Sequence, residues 1–93
     1  MHLDNVQVLD VSELEPPLPM HQITSALNAL LSGEVLFVKH RRVPIPLFNV
    51  IEGQYQHHHV QINEDCVQLY FWRQADESAT TLATALIQKS VFE

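Results

Sequence analysis

The sequence predicts an α/β two-layer sandwich (α+β), in which a mixed four-stranded sheet carries two helices on one face and a further helix is added at the C-terminus. Three patterns predict this fold class. An apolar strand, an amphipathic helix and a second apolar strand succeed one another between Val6 and Val38, which indicates a βαβ unit. A hairpin of alternating strands lies between Tyr55 and Arg73, and a second amphipathic pattern closes the chain. The predicted order is therefore βαβαββ plus one helix.

The first strand is predicted from Val6 to Val11, where β-branched valines dominate. The chain must then turn, because its prolines fix φ and exclude a ladder or a helix interior between Leu14 and Pro19. An amphipathic helix is predicted from about Met20 to Leu31, and Ser32-Gly33 supplies its stop signal. The apolar face of this helix consists of Ile23, Ala26, Leu27, Leu30 and Leu31.

The second strand is predicted from Val35 to Val38 and is apolar on both faces. Such a strand belongs at the centre of a sheet, parallel to the first strand when a helix joins the two. The basic segment from Lys39 to Arg42 is expected to leave the sheet. A short helix is then predicted from about Pro46 to Glu52, ending at Gly53. Its inward residues are Leu47, Val50 and Ile51.

The hairpin is predicted to pair a strand from Tyr55 to Ile62 with a strand from Cys66 to Arg73. Alternation along the second of these strands turns Val67, Leu69 and Phe71 toward the helices. Tyr70 and Trp72 then point to the opposite face. The last helix, from about Ala79 to Ser90, is marginal on its own, so its apolar stripe needs a surface to cover. We expect Leu82, Leu86 and Ile87 to cover the face with Tyr70 and Trp72, in their own chain or in a symmetric partner.

The proline turn and the loop after the second strand carry a family resemblance. The run Leu9-Asp10, then Leu14, Pro17 and Pro19, together with Ser32-Gly33-Glu34, resembles the TusA/SirA family of small sulfur carriers over roughly Val8 to Arg73. That family has Cys-Pro-x-Pro where this chain has Pro16-Pro17-Leu18-Pro19, so Pro16 stands at the carrier-cysteine position. The resemblance implies the βαβαββ fold, but a proline offers no nucleophile and no persulfide site.

A closer resemblance is to cysteine-less relatives of these carriers, domain-of-unknown-function family 2249. The segment that carries it runs from Val38 to Phe48, VKHRRVPIPLF, a loop similar to that family's histidine-containing Pro-x-Pro-Leu segment. The resemblance implies a fold and no particular activity. On this basis residues 1–75 are expected to form the TusA/SirA-like domain, and residues 76–93 a helical extension.

Composition limits the possible partners. The chain has 93 residues and a formal charge of -6, from five basic and eleven acidic residues, which repels nucleic-acid phosphate and anionic lipid. No apolar run approaches the ~20 residues of a membrane span, and the N-terminus lacks the positive charge of a signal peptide. Cys66 is the single cysteine, so no internal disulfide is possible. We therefore expect a cytoplasmic protein that binds neither nucleic acid nor a membrane.

The densest group of potential metal ligands is His57-His58-His59. In a strand, His57 and His59 project from the same face, about 6.5 to 7 Å apart along the chain, and could share one zinc, nickel or copper ion. Further ligands would have to come from His40, His21, Glu64 or Asp65, since zinc sites normally use three or four protein ligands. The alternative is a solvated strand. His58 is expected to point inward, as a hydrogen-bonded residue at the edge of the core.

His40, Arg41 and Arg42 are the candidates for a binding site, because they follow the central strand beside the proline turn. Ligands in open α/β sheets gather outside the carboxyl ends of parallel strands. The alternative is a rigid, solvated basic turn. Tyr70 and Trp72 are candidates for a partner patch unless the last helix covers them, and Cys66 is expected to be a packing residue.

The function predicted from these patterns is a non-catalytic binding or regulatory module with a protein partner and no required cofactor. The alternative is a metal- or redox-linked accessory protein that uses His57, His59 and His40; a sulfur-transfer enzyme comes third. The chain is expected to be a monomer or a homodimer that associates through the C-terminal helix.

Overall fold

The computed structural model describes residues 5–91, and their side chains as far as Lys89. Its elements are β1 (Val6–Asp10), α1 (Leu18–Asn28), β2 (Val35–His40), α2 (Ile45–Ile51), β3 (Tyr55–Asn63), β4 (Cys66–Arg73) and α3 (Glu77–Val91). The strands form one sheet in the order β1-β2-β4-β3, with β1 parallel to β2 and the other pairs antiparallel. A small α+β domain with a mixed four-stranded sheet and three helices is therefore confirmed.

The first hydrophobic core lies between the sheet and the helices α1 and α2. Its buried side chains are Val11, Ile23, Leu27, Leu30, Leu36, Val38, Leu47, Ile51, Val67, Leu69 and Phe71. The central strands β2 and β4 supply five of these eleven side chains, because their residues on this face are apolar. The predicted inward direction of Val67, Leu69 and Phe71 is confirmed, and each fully buried large side chain contributes about 1.5–3 kcal/mol.

A second core lies on the opposite face, under α3. Tyr70 and Trp72 are 3% and 8% exposed there, and Leu82, Leu86 and Ile87 of α3 pack against the same cluster. The prediction that the C-terminal helix covers this face is thus confirmed within one chain. The indole Nε1–H of Trp72 is buried without an acceptor in the described part of the chain, which costs about 1–3 kcal/mol. Because α3 adds a layer on this face, the sheet is helix-covered on both sides.

The ends of α1 differ from the prediction. The helix begins at Leu18, two residues before the predicted start at Met20, because a proline in the first turn loses no helical hydrogen bond. It ends at Asn28, and Leu31 lies beyond it with 67% of its surface exposed, so Leu31 does not belong to the apolar face. The turn passes through Gly33 at φ +83, as the predicted stop signal requires.

The second strand and second helix also differ in detail. β2 continues to His40, because Lys39 and His40 still pair with Gln68 and Val67 of β4. Only the residues after His40 leave the sheet. In α2, Val50 is 57% exposed, contrary to its predicted inward direction. Leu47 and Ile51 are buried, as predicted.

Asp76 fastens α3 to the turn before β2. Its carboxylate accepts a hydrogen bond from the Ala79 N–H at 3.0 Å and another from the Gly33 N–H at 2.6 Å. The first is a helix cap, and the second joins α3 to a segment 43 residues earlier in the chain. These backbone donors, with that of Gly33 first, lower the pKa of Asp76 below 3.8. The side chain therefore fixes where α3 begins over the sheet.

Candidate functional site

Two proline-rich loops lie at the carboxyl ends of the parallel strands β1 and β2. The first contains Pro17-Leu18-Pro19 and leads into α1, and the second contains Pro44-Ile45-Pro46 and leads into α2. Both helices have a proline at their first or second position, where the missing N–H costs nothing. The expected proximity of the proline turn to the loop after β2 is confirmed, because both loops line one groove.

This groove between the proline loops has a volume of about 370 Å³. It is lined by Pro16, Pro17, Pro19, Met20, His40, Arg42, Val43, Pro44, Pro46 and Leu47. Its walls are therefore apolar and stiff, since proline side chains are tied to the backbone. Among these lining residues, only His40 and Arg42 have polar nitrogen-containing side chains. We call this feature the proline groove.

The side chain of Arg41 connects the loop after β2 to the proline turn before α1. Its guanidinium donates to the Leu14 carbonyl at 3.5 Å and lies 3.5 Å from a Glu15 carboxylate oxygen. The two side chains are 47% and 83% exposed, so solvent screening keeps this ion pair weak. The guanidinium of Arg42, by contrast, has no ion-pair or hydrogen-bond partner among residues 5–91. Arg42 is thus the cation in the lining of the proline groove, and it also lines a neighbouring pocket with Glu64 and Asp65.

His40 has a defined tautomer. Its Nδ1 accepts a hydrogen bond from the Arg42 backbone N–H at 3.1 Å, so the neutral ring carries its proton on Nε2. Burial lowers the pKa of His40 below 6.5, and the neighbouring charges of Arg41 and Arg42 lower it further. The ring is therefore neutral at pH 7 and has one N–H to donate. His40 and Arg42 both line the proline groove, whereas Arg41 contacts Leu14 and Glu15 beside it.

The histidine pair lies elsewhere on the sheet. His57 and His59 pair with Phe71 and Leu69 of β4, which puts both rings on the face covered by α1 and α2. Phe48 of α2 stacks on His57 with ring centroids 3.9 Å apart, and its centroid is 6.0 Å from that of His59. Burial first, and then the charges of the neighbouring histidines, lower the pKa of His57 below 6.5.

Within the described residues, no three His, Cys, Asp or Glu side chains come together in a group that could hold a metal ion. His40 therefore does not join His57 and His59 as a third ligand, and binding by the two alone stays a prediction. The expectation for His58 is wrong, because it is exposed on the opposite face with its ring centroid 6.4 Å from that of Tyr70.

Tyr70 and Trp72 do not form a partner surface, since both are buried under α3. Cys66 is half-buried at the start of β4 and does not line the proline groove. Met20 and Leu47 were not predicted as walls of the groove: the sequence predicts Met20 only as the start of the first helix, and Leu47 as an inward residue of the second. A signal was present: Pro-Leu-Pro-Met and Pro-Ile-Pro-Leu open the two helices with the same pattern.

None of the helices between residues 5 and 91 has the length and apolar character needed to cross a bilayer. No curated protein and no solved structure matches the chain. The sequence profile of a family described as "Uncharacterized conserved protein (DUF2249)" matches residues 8–73. This region spans β1 to β4 and both proline loops, and α3 follows it. The chain belongs to the DUF2249 family.

Proposed function

We propose that this protein is a non-catalytic binding module, a TusA/SirA-like βαβαββ domain without the carrier cysteine, whose proline groove binds a protein partner. The partner segment presents a leucine-sized apolar side chain next to a carboxylate. The apolar side chain enters the groove, and the carboxylate meets Arg42 at its mouth. The observation that carries the proposal is an apolar groove whose lining includes Arg42, a guanidinium without an ion-pair partner among residues 5–91.

The distribution of charge favours an acidic partner. The chain has a net charge of -6, yet three of its five basic residues, Lys39, Arg41 and Arg42, follow one another at the end of β2. A local positive patch on an acidic protein selects a negative group and repels a positive one. Because Arg41 is engaged with Leu14 and Glu15, Arg42 is the residue that would pair with the incoming carboxylate.

The stiffness of the loops favours binding as well. A site formed by prolines loses little conformational freedom when it is occupied, so less binding energy is spent on ordering it. Burying one leucine-sized side chain contributes about 1.5–3 kcal/mol before other costs. This energy suits a modest, reversible interaction with a protein segment.

The chemistry of the groove supports a role without catalysis. Pro16, at the position of the carrier cysteine, is part of the groove wall, and the lining contains no cysteine, serine, threonine or carboxylate. Sulfur transfer would need a thiolate at this place. On this proposal, a persulfide donor with a cysteine desulfurase leaves Cys66 unmodified by intact mass. Stable stoichiometric sulfur on Cys66 would instead support a carrier role.

A random peptide library displayed on phage tests the binding proposal on the untagged protein. Enriched peptides should combine an apolar residue with an adjacent Asp or Glu, and synthetic versions should lose binding to Arg42→Glu. Arg73→Glu is the matched control, because it makes the same charge change in a residue outside the groove lining. Peptides that bind both variants equally well, or enrichment of basic peptides, would refute the proposal.

A further inference from the structure

Among residues 5–91, no strand pairs with the outer edge of β1. The Asn5 carbonyl accepts from the Val35 N–H, and the Val11 N–H donates to the Lys39 carbonyl, each at 2.9 Å. In a parallel pair, alternate residues of a strand bond to the same neighbour, so the odd-numbered residues of β1 face β2. The backbone N–H and C=O groups of Val6, Val8 and Asp10 therefore point away from the sheet.

The two edge strands of the sheet differ in how well they are protected against pairing with a further strand. β3, the other edge strand, has a register shift between Gln61 and Asn63, and such irregularities hinder pairing with another strand. β1 pairs without a register shift and has no lysine, proline or glycine. Its middle residue, Val8, is 67% exposed. An edge strand that pairs regularly and has an apolar centre can serve as a template for a further strand.

We infer that β1 pairs with β1 of a second copy of this chain, antiparallel across a two-fold axis at Val8. The two sheets then continue into one. This register sets Val8 opposite Val8 of the second copy, and Val6 opposite Asp10. All of these residues are even-numbered, so each pair can exchange both of its backbone hydrogen bonds.

Side chains on both faces support a second copy as the occupant. Val8 lies on the same face as Phe37, its neighbour on β2, and would pack against its own symmetry mate. On the other face, a groove of about 330 Å³ runs along β1 and is lined in part by Ala26, Ala29 and Leu31. Leu31 is 67% exposed, so the second copy would bury this apolar side chain at the edge of the groove.

The charges allow this register. Each Asp10 faces a valine and not the other Asp10, and its carboxylate already accepts hydrogen bonds from the Ser12 N–H and hydroxyl at 3.0 and 2.6 Å. The net charge of -6 on each copy opposes association, and added salt screens this repulsion. The contact area of a short strand is small, so we expect a reversible dimer that salt strengthens.

Sedimentation velocity over protein concentrations from about 5 μM to about 1 mM tests the inference. The wild-type protein should shift from monomer to dimer, and the shift should move to lower concentration when salt is added. Val8→Lys should remain monomeric over the whole range. Ile62→Lys is the matched control, because Ile62 is an aliphatic residue 50% exposed on the other edge strand, and this variant should dimerise normally.

A cysteine placed on the axis tests the register. Val8→Cys in a Cys66→Ser background should form a disulfide-linked dimer under mild oxidation, because directly opposed Cα atoms lie about 5.5 Å apart in such a pair. Ile62→Cys in the same background should not. Wild-type protein that stays monomeric, or a dimer that survives Val8→Lys, would overturn the inference. Circular dichroism and thermal melting confirm that each variant is folded.

Discussion

Replacing Ala83 by leucine should lower the free energy of unfolding by about 1–3 kcal/mol, the usual cost of overpacking a core. The Ala83 side chain is fully buried between α3 and the sheet, as is that of Ala79, one helical turn away. These small side chains allow α3 to lie close to the sheet face that holds Tyr70 and Trp72. Three additional carbon atoms at position 83 must displace those aromatic rings or lift the helix.

Urea unfolding followed by fluorescence measures this effect, because Trp72 is the only tryptophan and lies in the affected cluster. The midpoint should fall at an unchanged slope, with a decrease in Tm of about 4–8 °C per kcal/mol for a domain of this size. Ala85→Leu on the exposed side of the same helix is the control, with an expected change within about 0.5 kcal/mol. Equal midpoints for the two variants would refute the packing of α3 on this face.

Three further predictions concern titration, capping and metal binding. The folded state lowers the pKa of His57 below 6.5, so unfolding should become easier as pH falls from 7.5 through 6.5 to the folded pKa and then level off. His57→Gln should flatten this slope in urea titrations. Asp76→Ala should lower Tm at pH 7 more than Asp65→Ala, and the difference should shrink as pH falls below 3.8, since the lowered pKa makes the stabilising form the ionised one. In calorimetric titrations with zinc or nickel, binding that is present should be weak, should depend on pH and should be lost when His57 and His59 are both alanine, because two imidazoles do not complete a site. Tight binding that survives this change would move the site elsewhere.

The sequence was most informative where a strand is buried on at least one face. Alternation along Cys66–Arg73 predicted the bounds of the strand and the face to which each side chain points, because a one-residue slip would turn Leu69 and Phe71 away from α1 and α2. β3 lies at the edge of the sheet and has polar residues on both faces. Alternation therefore did not distinguish its inward face from its outward face. The direction of His58 was therefore wrong, and the stacking of Phe48 on His57 was not foreseen.

The predicted topology indicated where the candidate site lies, but it did not indicate which residues form the walls of the groove. Parallel strands put their carboxyl ends at one edge, which is enough to bring the proline turn near His40. Helical spacing, however, predicts only that Leu47 points inward. Whether such a residue also borders an open groove depends on how the two helices diverge, and this is a property of packing, not of periodicity.

The most direct test of the binding proposal is a backbone amide NMR titration of the protein with the peptide acetyl-Glu-Leu-Leu-Glu-amide. The proposal predicts saturable shifts centred on Met20, Val43 and Leu47, which are absent in Arg42→Glu and retained in Arg73→Glu. Shifts centred on Val8, shifts that persist unchanged in Arg42→Glu, or no shifts at peptide concentrations up to about 5 mM would contradict it.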